Sequence, residues 1–193
     1  AAAREFTRQY YRHVDIEDLA DGDARHFADS AMNHLRFGAV RRPGRARVRV
    51  CNPDLPRPEH RPNITVVEVV TDNMPFLVDS VSMTINDAGY GIMLTIHPVF
   101  GVRRDEAGHL TGIERDAEQR ESFARFEISR ITHAEDRLRL ERKIRETLSD
   151  VRAVVRDWRP MMNRMRRAIG TFGEARSNGF GKRSESIRLL QWL

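Results

Sequence analysis

A chain of 193 residues and 22.3 kDa, 40% hydrophobic and 32% charged, is long enough to bury a core and too apolar for disorder. Its apolar runs fall far short of the ~20 residues that span a bilayer, and no leader pattern opens it, so a cytoplasmic protein is expected. The single Cys51 excludes an internal disulfide and a Cys-based zinc cluster. The formal net charge of +5 is unevenly placed: Ala134 to Leu193 holds 15 basic against 8 acidic side chains. Only Lys143 and Lys182 there are lysines, and an arginine bias of this kind follows genome composition more than nucleic-acid binding.

In chain order, Phe6, Tyr10, Tyr11 and Val14 recur at helical spacing, and Asp15 opens a turn. Ala24 to Phe37 predicts a second helix with Phe27, Ala31, Met32 and Leu35 on one stripe, stopped by Gly38. Arg41-Arg42-Pro43-Gly44 is a turn. Arg45 to Cys51 alternates like a half-buried edge strand. The four prolines between Asn52 and Asn63 predict a loop. Ile64 to Val70 is nearly continuous in β-branched residues and reads as a central strand. Asp72-Asn73-Met74-Pro75 then turns the chain into a helix, with Pro75 suited to its first position. That helix carries Leu77, Val81, Thr84, Ile85 and Ala88 on one stripe and stops at Gly89 and Gly91.

Ile92, Leu94, Ile96, Phe100 and Val102 predict one face of a second strand, with Pro98 marking an edge or a bulge. Arg104 to Glu121 reads as a polar loop. Phe123 to Arg130 is a third strand with Ala124, Phe126 and Ile128 on one face. Thr132-His133-Ala134-Glu135 has the form of a capping box. It opens a long helix whose stripe of Leu140, Ile144, Leu148, Val151, Val155, Trp158, Met162, Met165 and Ile169 is close to a heptad, with a kink or brief break at Pro160. Thr171 to Lys182 is a Gly-rich hinge, and Ser184 to Leu193 a final amphipathic helix whose apolar end suggests a piece of a larger chain.

The order strand, strand, helix, strand, strand, helix predicts an α+β fold: a ferredoxin-like antiparallel sheet with helices on one face. N-terminal helices and long C-terminal helices are added to it. The last strand of that fold is missing, and Arg45 to Cys51, beside Ile64 to Val70, can take its place. The expected divisions are an N-terminal helical segment (1–44), the sandwich (45–157) and a C-terminal helical extension (158–193).

Asp72 to Ser80 is the strongest local signal. Met74 is a poor helix cap, so the amides of Phe76 and Leu77 can receive an anion such as an amino-acid carboxylate, and Asp72 or Asn73 its ammonium. The alternative is a tight turn whose polar side chains bond its own backbone. The seven histidines form no metal-type pair, and His97 reads as packed or hydrogen-bonded. Gly181-Lys182 lacks the remainder of a phosphate loop, and Gly170-Thr171-Phe172-Gly173 is a lone GxxG. No nucleophilic triad or dinucleotide fingerprint is present.

The run Val66 to Val81 resembles the N-terminal region of the large bacterial NAD-specific glutamate dehydrogenases. So do Tyr10 to Val14, His97-Pro98-Val99, Glu121-Ser122-Phe123, Val151 to Trp158 and the closing Leu189 to Leu193. The resemblance implies an ACT-type regulatory domain, ferredoxin-like, that takes an amino acid at its first strand-to-helix turn, commonly at a side-by-side interface. Carried over, the candidate ligand positions are Asp72, Asn73, Met74, Phe76 and Leu77. The turn departs from the family at Pro75, where a glycine is usual. The parent reaction would oxidise glutamate to 2-oxoglutarate and ammonia with NAD. Nothing here matches the NAD-binding and catalytic residues, so the segment is expected to hold no cofactor and no metal. The partners implied are the rest of the parent chain, an amino-acid effector and further copies of the chain. Copies would meet through Ile144, Leu148, Val151, Val155, Trp158, Met162 and Met165, or through a sheet edge. Rival expectations are an RNA-binding module using the basic helices, and an oligomerisation domain without a ligand.

Overall fold

A computed structural model describes residues 2–15, 24–53 and 63–174. Two compact units divide the chain, residues 1–151 and 152–193. Ten elements are described: α1 (Ala2–Tyr10), α2 (Ala24–Phe37), β1 (Arg47–Cys51), β2 (Ile64–Asp72), α3 (Leu77–Asp87), β3 (Ile92–Ile96), β4 (Val99–Arg104), β5 (Leu110–Ile113), β6 (Arg120–Ser129) and α4 (Ala134–Glu174).

The strands form one antiparallel sheet in the order β1-β2-β6-β4-β5, with β3 also on β6. β1 lies beside β2, Val48 opposite Val69 and Val50 opposite Val67, so it occupies the place of the missing last strand. Its outer edge is closed by α4. The Val50 amide donates to Glu141 Oε2 at 3.3 Å, and Arg145 Nη2 donates to the Val48 carbonyl at 2.6 Å. A free edge would invite another strand, and these side chains take up one amide and one carbonyl of it.

Strand alternation sends one set of side chains to each face. On one face Val48, Val50, Val67, Val69, Ala124, Phe126 and Ile128 meet Leu77, Val81 and Ile85 of α3 and Leu140, Ile144 and Leu148 of α4. The N-terminal helices cover the opposite face. There Phe6, Tyr10 and Ala31 pack on Val70, Ile96, Phe100, Val102 and Phe123. Phe6 stacks on Phe100 with ring centroids 4.8 Å apart, and Phe123 meets Phe100 edge-on at 5.4 Å. Buried Tyr10 Oη lies 2.6 Å from Nδ1 of buried His34, tying α1 to α2.

Several boundaries differ from the sequence reading. The second strand is split at His97-Pro98 into β3 and β4, both paired to β6, because proline cannot supply a ladder donor. The stretch Arg104 to Glu121 is not all loop: a turn at Gly108, φ +89°, folds β5 back on β4, and β6 begins at Arg120. α2 ends at Phe37, and the next position is glycine for reasons of space, since a Cβ at Gly38 would lie 2.7 Å from the Phe123 ring. Thr171 to Glu174, expected in the hinge, is helical as part of α4, which also takes in Pro160. The rest of the expected hinge, the last helix and most of the proline loop lie outside the described residues.

Candidate functional site

β2 ends at Asp72 and α3 begins at Leu77, two residues beyond the position expected for its start. The reason is Phe76, whose backbone is left-handed at φ 64° and ψ 4°, so the helix cannot include it. A glycine would adopt this conformation without strain. The position that calls for glycine is thus Phe76 and not Pro75. No side chain caps the helix start.

The five expected ligand residues divide three ways. Leu77 is buried and Met74 half-buried in the α3/α4 core. Phe76 is 62% exposed. Asp72 and Asn73 are drawn into contacts of the protein's own. The Asn73 amide donates to the Arg120 carbonyl at 2.9 Å, and Ser122 Oγ donates to Asn73 Oδ1 at 2.9 Å. Arg41 Nη2 donates to Asp72 Oδ1 at 2.6 Å.

The Asp72 contact opens onto a buried network that sequence reasoning missed. Asp72 faces Glu121 across the β2–β6 ladder, a like-charged pair that is unfavourable on its own. Arg41, with its side chain wholly buried, bridges the two, its Nη2 lying 2.7 Å from Glu121 Oε1. Arg104 closes the other side: its Nε donates to Glu121 Oε1 and its Nη2 to Glu121 Oε2, both at 2.7 Å. Burial pushes the Glu121 pKa up, but the hydrogen bonds and charges of Arg104 and Arg41 together outweigh it, and the net shift is down. Arg41 also donates to the Arg45 carbonyl and Arg104 to the Gly38 carbonyl. The network therefore holds the chain after α2 against the end of β2. Its signal in the sequence was an Arg-rich turn and a polar stretch, neither of which shows burial.

Four residues back along β2 and on the same face, Glu68 is paired with Arg49 of β1 and Arg125 of β6, its neighbours in register. Arg125 in turn donates to Glu127 Oε1 at 3.0 Å. Burial alone would lower the Arg125 pKa, and the surrounding Tyr10, Glu127 and Glu68 reverse that and raise it.

Of the expected stripe on α4, Ile144 and Leu148 are spent on this chain's own core. Val151, Val155, Met162 and Met165 are half-buried, and Trp158 is 51% exposed, with Val154 and Met161 also exposed. Among the described residues no group of three His, Cys, Asp or Glu could hold a metal ion, and no helix is long and apolar enough to cross a membrane.

A family model described as glutamate dehydrogenase, ACT1 domain, matches residues 6–144, from α1 through the sheet into α4. The chain belongs to this family. It is similar to the NAD-specific glutamate dehydrogenases of Pseudomonas aeruginosa, 30% identical over 194 residues, and of Halomonas elongata, 31% identical over 195 residues. Each match covers 97% of the chain and 12% of the relative, so the chain spans about an eighth of the length of these curated relatives. The ACT1 match takes in both the β2–α3 turn and the buried network beside it.

Proposed function

We propose that this ACT1 domain is a non-catalytic regulatory and assembly part of a NAD-specific glutamate dehydrogenase. The parent reaction would be oxidative deamination of L-glutamate to 2-oxoglutarate with NAD, in the cytoplasm. The observation that carries the reading is the near-complete match of this chain to about an eighth of two such dehydrogenases. Purified 1–193 is expected to form no NADH from glutamate and NAD. NADH formation that scales with protein would overturn the non-catalytic part.

The effector site of this reading is the β2–α3 turn. An amino acid would place its carboxylate on the amides of Phe76 and Leu77, at the positive end of α3, and its ammonium toward Asp72 or Asn73. The uncapped helix start supports the first half. The second half has a competitor, because Arg41 already donates to Asp72. Binding must share Asp72 with Arg41, so the expected affinity is about millimolar, near the weak end of specific recognition. NMR titration with a panel of amino acids tests it. Shifts at Asn73 and Leu77 that vanish in Asp72→Ala support the site; no response to any amino acid removes the sensing role.

Assembly would use the α4 stripe beyond the core, centred on Trp158. Apolar side chains left exposed along a helix favour association. Trp158→Glu is expected to lower the association state in sedimentation. An unchanged state would remove this stripe as the contact.

A further inference from the structure

A cleft among the described residues shares no residue with the β2–α3 turn and adjoins it only where the carbonyl of its rim residue Arg120 accepts from the Asn73 amide. It has a volume of about 1020 Å³ and is bounded by α1, α2, the start of β4 and the end of β5. That is the size of clefts that hold small organic ligands. Its walls divide by chemistry. Met32 and Leu35 of α2, with Val99 and Ile113 of the sheet, are half-buried apolar side chains that face the space, over the stacked rings of Phe6 and Phe100. The rim carries Arg8, Arg12, Arg115 and Arg120, against Glu5 and Glu114.

The two acids do not neutralise that rim evenly. Glu5 accepts from Arg8 at 3.2 Å and from Gln9 at 3.0 Å. Glu114 is paired with Arg103, which stands outside the cleft. Arg120 donates to the Arg115 carbonyl at 3.3 Å, a neutral acceptor. The cleft thus offers an apolar wall and an excess of guanidinium groups, which bind planar anions bidentately and stack on rings.

We propose that this cleft binds a small organic anion with a flat apolar body, its ring against Met32, Leu35 and Ile113 and its anionic group on Arg12, Arg115 and Arg120. Aromatic carboxylates and nucleoside monophosphates share this chemistry. Neither component suffices alone: the wall gives area, and the rim selects charge.

The test uses the 193-residue chain and the aromatic sulfonate anilinonaphthalenesulfonate, read by fluorescence. The expected result is saturable binding that weakens about tenfold in Arg12→Glu/Arg115→Glu and falls with added salt. Both arginines are exposed, and an unchanged circular dichroism melt confirms that the variant is folded. N-phenylnaphthylamine, which has the same rings and no charge, is expected to bind about tenfold more weakly than the sulfonate. Equal binding of both probes, or an unchanged affinity in the variant, would show a merely apolar surface and overturn the proposal. Displacement by phenylpyruvate or by adenosine monophosphate identifies which source of the anion is preferred. Displacement by neither at millimolar concentration overturns it as well.

Discussion

The two faces of this sheet bury alternate residues of the same strands. Toward α3 and α4, β2 and β6 present Val67, Val69, Ala124, Phe126 and Ile128. Toward α1 and α2, the intervening positions include Glu68, Asp72, Glu121 and Arg125 among the aromatic rings. An apolar side chain needs only to leave water, so the first face tolerates many partners. A buried charge needs one particular counter-charge at hydrogen-bond distance, so the second face depends on register. Slipping β6 by one residue against β2 would break both ion ladders as well as exchange the faces. The charged face thus fixes where strands and the chain after α2 sit, while the apolar face supplies most of the burial.

The strongest way to break this comparison is to remove one charge. Glu121→Ala leaves Arg41 and Arg104 facing each other in a buried space and is expected to cost about 3–5 kcal/mol in urea unfolding. Phe126→Ala on the other face should cost a similar ~3–5 kcal/mol, through a cavity. The difference between the faces shows in rescue. Arg104→Met added to Glu121→Leu should recover stability, because it replaces an unpaired ion by an apolar side chain. No second substitution near Phe126 restores a lost ring unless it refills the volume. Additive losses in the charged pair would mean that the network is not coupled.

Acid sharpens the same contrast. Burial lowers the His34 pKa from 6.5 to about 4, since a charged ring would be enclosed beside Tyr10. The folded state therefore binds fewer protons than the unfolded state between those values. Stability should fall as pH drops from about 6.5 to 4, with His34 contributing about 3 kcal/mol at ~1.4 kcal/mol per pKa unit and His97, also lowered by burial, adding to it. Glu121, whose pKa is lowered in the fold, adds a further loss below its ordinary 4.5 as the pH falls through the depressed value. His34→Gln should reduce the first slope, His97 retaining part of it, and leave the second. An unchanged slope above pH 5 would place the titration elsewhere.

How much of this could be read beforehand follows from the same distinction. Apolar periodicity placed α2, β2, α3 and the start of α4, and it also identified Arg45 to Cys51 as a strand able to complete the sheet. The alternation of Val48 and Val50 carries that reading, because it needs a face and not a partner. Leu110 to Ile113 escaped because four residues including Gly112 give no clear period. Arg41 and Glu121 escaped because a charge in a sequence looks the same whether it is solvated or enclosed. The strand-to-helix turn after Asp72 is legible in the sequence, yet the engagement of Asp72 by Arg41 joins residues 31 positions apart and has no local signature.

That turn is where the two faces meet, and it yields the smallest expected effect. Leu77 anchors one end in the apolar core, while Arg41 and Ser122 hold Asp72 and Asn73 at the other. Between these anchors Phe76 is held left-handed, at a cost of about 1–2 kcal/mol for a residue with a Cβ. Its exposed ring returns little of that through packing within the chain. Phe76→Gly should therefore stabilise the domain by about 1 kcal/mol, the relief of strain exceeding the added freedom of the unfolded chain. Phe76→Val should destabilise it, because a β-branched residue fits this conformation worse. If the strain is imposed by anchoring from both faces, freeing one anchor should release it. In Arg41→Met the gain from Phe76→Gly should shrink toward zero, a coupling that unfolding of the four-member cycle measures. An undiminished gain would mean that the apolar anchor alone bends the chain at Phe76.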